Sequence, residues 1–166
     1  MPQGGVVAEV GVWRGEHADI ILTENKPSRL FLVDQWLHFE DPSNQNVVKH
    51  SQKDIDDIYV QVCKDFSMHP EVSVVRGCSY EIGELFPNRF FDWVYIDACH
   101  EYEPMKKDLC AWWGKIKIGG YLCGHDYEPH VGVFAAVNEF VELVDASPVV
   151  LGPRNDTNSF IIRKYE

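Results

Sequence analysis

The chain has 166 residues, 45% of them hydrophobic and 25% charged, with a formal net charge of −11. That acidic balance speaks against a binder of nucleic-acid phosphates, which needs a basic face, and against docking on anionic membranes. The length suits one domain, 1–166; no run approaches 18 apolar residues, so no spanning helix is expected, and the first dozen residues lack the pattern of a signal peptide.

Residues 5–12, GVVAEVGV, form a short apolar run that reads as a buried first strand. Residues 14–24 follow as a helix, with Ala18, Ile20, Ile21 and Leu22 on its apolar side and Pro27 at its end. A second strand over 30–33 ends in Asp34. The polar loop 35–50 carries the turn formers Asp41, Pro42, Ser43 and Asn44. Ser51, with Asp54 three residues on, reads as the cap of a helix whose Ile55, Ile58, Tyr59, Val62 and Phe66 keep helical spacing. His69 and Pro70 stop it. A third strand over 72–76 leads into a short helix, 79–85, and Pro87-Asn88 turns the chain into a fourth strand, 91–96. A helix over 104–113 has Pro near its entry, where proline is tolerated. Gly119-Gly120 reads as a turn before a strand over 121–124. Residues 131–144 are helical, with Phe134, Val137, Val141 and Val144 on one side. Two last strands, 149–152 and 160–163, flank the turn-rich 153–158 and can pair antiparallel. Five β-α repeats followed by a hairpin predict an α/β fold with a parallel sheet covered on both faces.

Chemistry concentrates at the ends of these strands. Glu9-Val10-Gly11-Val12-Trp13-Arg14-Gly15 spans a strand-to-helix turn, where glycines let the backbone approach a ligand. Asp34, about 20 residues on, is placed for a ribose diol. Trp36 can wall an adenine pocket or simply pack. Ser79 can meet an adenine edge or cap its own helix. The fourth and fifth strands end in Asp97 with His100 and in His125 with Asp126. Asp97 and Asp126 offer hard oxygen ligands suited to magnesium, and His125 tilts such a site toward manganese, iron or zinc if it ligates. His100 has the titration range of a general base, although either histidine can also be a plainly hydrogen-bonded residue. Tyr102, Glu103 and Tyr127 are expected to support the rim. The five cysteines are odd in number and lack CxxC spacing, which fits a reducing cytoplasm.

Taken in order, Glu9-x-Gly11-x-x-x-Gly15, Asp34 with Trp36, Asp97-x-x-His100-x-Tyr102-Glu103, Asp108-Leu109, Gly119-Gly120 and Gly124-His125-Asp126-Tyr127 resemble a class I S-adenosylmethionine-dependent methyltransferase. Within that class the chain is similar to small-molecule O-methyltransferases of the macrocin and mycinamicin type. The resemblance implies a Rossmann-like doubly wound sheet of seven strands, order 3-2-1-4-5-7-6, with strand 7 antiparallel. It implies Glu9, Gly11 and Gly15 around the methionine part of the cofactor, Asp34 on the ribose, Ser79 near the adenine, and His100 as base. It implies a divalent metal, magnesium or manganese, on Asp97 and Asp126 that orients a small hydroxylated substrate such as a sugar; His125 is the third expected ligand, where some relatives carry an acid. Strand one begins close to Met1, so cover for the substrate is expected from 35–50, from 127–132, or from the second subunit of a homodimer. Two rival readings use the same residues. One is a nicotinamide-dependent oxidoreductase, against which the missing third glycine of G-x-G-x-x-G argues. The other is a cofactor-binding module without turnover.

Overall fold

A computed structural model of the chain describes residues 1–38, 49–154 and 157–165. The expected turn formers 41–44, and most of the loop expected to cover the substrate, lie outside the described residues. Seven strands form one sheet: β1 (Val6–Val10), β2 (Arg29–Asp34), β3 (Val72–Arg76), β4 (Phe91–Ile96), β5 (Ile116–Gly124), β6 (Val149–Arg154) and β7 (Thr157–Arg163). Their order is β3-β2-β1-β4-β5-β7-β6. The pairs among β1 to β5 are parallel, and β7 runs antiparallel to both β5 and β6. The architecture expected for the class I methyltransferases is therefore the one observed.

Side-chain alternation explains why both faces need helices. In β1 and β2, Val7, Leu30 and Leu32 point to one core, while Ala8, Val10, Phe31 and Val33 point to the other. The first core is closed by α1 (Glu16–Ile20) and α2 (Gln52–Asp65), through Ala18, Ile55, Val62 and Phe66. The second is closed by α3 (Ser79–Leu85), α4 (Tyr102–Trp113) and α5 (Gly132–Leu143), around Phe91, Leu109, Trp112 and Phe140. A strand buried on both sides has no room for alternating polarity, hence the near-continuous apolar runs.

Most expected elements are present, with three corrections. The first helix starts at Glu16 rather than 14, because Trp13 and Gly15 both take positive φ and spend residues 13–15 on a turn. It then widens into a π-helical turn, Ile21–Asn25, where the Thr23 hydroxyl bonds the Asp19 and Ile20 carbonyls and competes with the helical ladder. Gly119-Gly120 is no turn between elements but an irregularity within β5. The register jumps from Phe91 against Ile116 to Trp93 against Tyr121, so β5 carries extra residues there. Ser51 behaves as expected: it accepts from the Asp54 amide while the Asp54 carboxylate accepts from the Ser51 amide.

The β1 exit is the tightest point. The Gly11 amide donates to the Val33 carbonyl at 2.8 Å, and the Asp97 amide donates to the Val10 carbonyl at 2.7 Å. Gly11 has φ +88°, and a Cβ there would overlap the Asp97 carbonyl and the following peptide. Gly119 also has a positive φ, yet nothing lies within 4 Å of its would-be Cβ. Gly11→Ala is therefore expected to destabilise the fold by more than about 3 kcal/mol, against roughly 1 kcal/mol for Gly119→Ala. Urea denaturation followed by circular dichroism measures both, and equal losses would refute the close-approach argument.

Candidate functional site

A strand order of 3-2-1-4 means that the chain leaves β1 toward β2 and β3, then returns to place β4 on its other side. The carboxyl ends of β1 and β4 are thus the switch point at which such sheets open a crevice. A cleft of about 550 Å³ lies there, a size that suits a small ligand. Glu9, Gly11, Asp34, Trp36, Ser79, Asp97 and His100 all line it, so most residues singled out in the sequence converge. Gly15 is outside the lining. It is buried, and its α-carbon faces the Phe66 ring, so its lack of a side chain makes room for that ring.

Each wall of the cleft has a distinct chemistry. At the end of β1, Glu9 is almost wholly buried and turned to the α1 side of the sheet. Its Oε1 lies 3.0 Å from His17 Nδ1, while its Oε2 is buried without a hydrogen-bond partner among the described residues. Burial pushes the Glu9 carboxyl up to about 7, with His17 pulling the other way. His17 also packs against Tyr95, with ring centroids 4.2 Å apart and the planes tilted by 41°. Sequence inspection passed over His17; its position two residues into the helix after the glycine turn was the available signal.

At the end of β2, Asp34 accepts three backbone bonds: Oδ2 from Val12 and Trp13 at 2.8 and 2.9 Å, and Oδ1 from Trp36 at 2.9 Å. It fastens the β1 turn to β2. A carboxylate has about four acceptor positions, so capacity remains for a ligand hydroxyl. Trp36 is 1% exposed, packs against Tyr59 and donates its Nε1–H to the Trp13 carbonyl at 2.9 Å. It is mainly core, touching the cleft at its edge.

Beyond β3, Ser79 is the first residue of α3, not its cap, which is Cys78. Its hydroxyl donates to Asp108 Oδ1 of α4. Asp108 is 2% exposed, lines the cleft, and burial alone raises its carboxyl to about 7. The sequence flagged Asp108 only as part of a pattern, because one acid on an amphipathic helix looks like any solvated one.

Across the cleft, His100 Nε2 sits 3.1 Å from Asp126 Oδ2 and 3.6 Å from Asp97 Oδ1. Ligand atoms of Asp97, His100 and Asp126 all lie within 4.8 Å of one another, a spacing that can hold a metal ion. His125, expected in that set, is not part of this group. Its Nδ1 is 3.4 Å from Asp126 Oδ2, the same oxygen that His100 approaches. Of the expected rim residues, Tyr127 is buried and bonds Asn138 Oδ1 at 3.0 Å, and Tyr102 bonds Glu139.

The profile of a family described as methyltransferase domain matches residues 8–127, well over half of the chain. No curated protein matches it in sequence. Among solved structures, the chain is similar to the O-methyltransferase NovP, with TM-score 0.71 and 16% identity over 98% of this chain and 72% of that one. It is similar to a Burkholderia thailandensis 1,6-didemethyltoxoflavin-N1-methyltransferase bound to 1,6-didemethyltoxoflavin and S-adenosylhomocysteine, with TM-score 0.66 and 15% identity over 99% and 72%. It is also similar to an rRNA methylase from Streptococcus thermophilus, with TM-score 0.67 and 9% identity over 100% and 90%.

Two acids with raised pKa values make stability pH-dependent. Glu9 and Asp108 hold a proton more tightly in the folded chain, near pH 7, than at their ordinary 4.5 and 3.8. The stability this contributes is full below those ordinary values and is lost as pH rises through about 7. The urea midpoint of the wild type is expected to fall between pH 4.5 and 7.5, and less steeply in Asp108→Asn. Parallel slopes for the two proteins would contradict it.

Proposed function

The chain belongs to the methyltransferase-domain family and has the fold of a class I S-adenosylmethionine-dependent methyltransferase, and from that premise we propose that it O-methylates a small hydroxylated molecule at the Asp97–His100–Asp126 cluster. The observation carrying this reading is the position of His100, an imidazole between two carboxylates at the mouth of the cofactor cleft.

The residues fit the cofactor. The cleft is lined by six acids, Glu9, Glu16, Asp34, Asp97, Glu101 and Asp108, and by no lysine or arginine among the described residues. That suits a ligand carrying positive charge. The unpartnered Glu9 Oε2 is a buried acceptor awaiting a donor, as an α-ammonium group supplies. Asp34 holds the ribose side with its remaining acceptor capacity, and Gly11 removes the side chain that would block the crossing. S-adenosylmethionine, when bound, supplies a methyl group on an electrophilic sulfonium.

His100 takes the proton of the acceptor hydroxyl, and Asp97 and Asp126 stabilise the imidazolium that results. A hydroxyl must lose its proton to complete the transfer, whereas many nitrogen acceptors attack through a free lone pair. A flanked base thus favours oxygen as the acceptor atom. The lack of lysine and arginine in the cleft lining, among the described residues, disfavours a polyanionic acceptor.

A metal-assisted form of the same reaction is the second reading. Asp97, His100 and Asp126 would hold a divalent ion such as magnesium or manganese, which would polarise the acceptor hydroxyl. Here His100 is a ligand rather than the base, and His125, beside Asp126, orients that carboxylate.

Methyl transfer to a panel of small hydroxylated acceptors, sugars included, tests the proposal through S-adenosylhomocysteine release. His100→Ala is expected to lose at least about 100-fold in kcat while still binding S-adenosylhomocysteine, and turnover by that variant equal to wild type would sink the assignment. Chelation by EDTA followed by addition of manganese separates the two readings: restored activity supports the metal-assisted form, and indifference supports His100 as base. Glu9→Gln is expected to weaken S-adenosylhomocysteine by about tenfold, read by calorimetry.

A further inference from the structure

Asp108 is not used by the chemistry above, yet it is among the most buried ionisable groups in the molecule. It lines the cleft with its Oδ1 held by the Ser79 hydroxyl. A carboxylate buried without a cation is costly, and among the described residues no cationic side chain forms an ion pair with it. Cys78 and Tyr80 stand at the start of α3, and Lys107 of α4 lies over the Tyr80 ring at 5.0 Å. Asp97, His100 and Glu101 lie in the lining of the same cleft. On α5, Glu139 is taken up by Lys106 and Tyr102. The economical state at neutral pH and below is the neutral acid. A neutral acid held at one oxygen has the other free to donate.

The position of Asp108 identifies what receives that donation. The sheet order puts β3 on the far side of β2 from β1 and β4. A nucleoside whose ribose meets Asp34, and whose amino-acid end meets Glu9 and Asp97, must direct its base toward the β3 exit. That is where Ser79 and Asp108 meet. Adenine presents ring-nitrogen acceptors at its edge.

We propose that Asp108 is a specificity-determining residue for the cofactor, donating from its carboxyl to a ring nitrogen of the adenine while Ser79 fixes its other oxygen. The inference rests on the cofactor reading above and adds a residue to it. Ionised Asp108 loses this donor and turns a negative charge toward a ring nitrogen. Affinity for the nucleoside must then fall as pH rises past about 7, opposite in sign to Glu9, which must ionise to receive an ammonium group.

Calorimetric titration with S-adenosylhomocysteine from pH 6 to 8.5 tests this on the full chain. Wild type is expected to show a bell, with affinity falling roughly tenfold per pH unit on the alkaline side. Asp108→Asn keeps a donor that cannot ionise. It should bind within about threefold of wild type at pH 6.5 and lose the alkaline fall, whereas Glu9→Gln loses only the acid limb. Asp108→Leu should bind at least about tenfold more weakly at pH 6.5. Ser79→Ala, which leaves the acid in place and removes its tether, should weaken binding several-fold and serves if the Asp108 variants misfold by circular dichroism. An alkaline fall that persists in Asp108→Asn, or wild-type affinity in Asp108→Leu or in Ser79→Ala, overturns the inference alone. Wild type that binds no S-adenosylhomocysteine at any pH overturns the cofactor reading and this inference with it.

Discussion

The approach of the β1 exit to the β4 exit at Gly11 is the constraint on which the site depends. Only a residue without Cβ fits against the Asp97 carbonyl with φ +88°. Because it fits, the Val10 carbonyl receives the Asp97 amide, the Gly11 amide reaches the Val33 carbonyl, and three strand ends are drawn together. Asp34 then locks the turn by accepting the Val12 and Trp13 amides. Glu9, Asp34 and Asp97, distant in sequence, become walls of one cleft as a consequence of backbone packing.

That convergence concentrates negative charge, and the protein meets the cost in different ways. Asp34 is stabilised by three backbone donors. Asp97 and Asp126 share the His100 imidazole. Glu9 has His17 on one oxygen and no hydrogen-bond partner on the other among the described residues, and Asp108 has a hydroxyl. Those last two are the acids that burial drives toward neutrality. A cleft with this gradation suits a ligand that brings its own positive charge at one end and neutral hydrogen-bonding edges at the other.

Much of the fold was legible because helices on both sheet faces impose a pattern that survives in one dimension. The stripe of Ile55, Val62 and Phe66, the Ser51–Asp54 cap and the strand of Phe91–Ile96 all appear as read. The errors fell where local rules meet long-range packing. Gly119-Gly120 looks like a turn by composition, yet pairing of β5 with β4 and β7 absorbs it into a strand. The room that Gly15 leaves for Phe66, 51 residues away, is equally invisible in the sequence. The spacing of His125 and His100 said nothing about which imidazole would face the acids. That depends on backbone direction after β5, where Asp126 takes φ +55°.

Short apolar runs, helical apolar patterning, glycine turns and acids at strand ends determined the α/β class, the number and order of elements and the group of residues at the mouth of the sheet, since each is a local consequence of covering a strand on two faces. Tertiary structure alone decided which of those residues share a cavity and in what protonation state. His17 became the partner of Glu9, Asp108 the partner of Ser79, and His100 the histidine between Asp97 and Asp126. Burial and through-space distance set those properties, and neither is encoded by position along the chain.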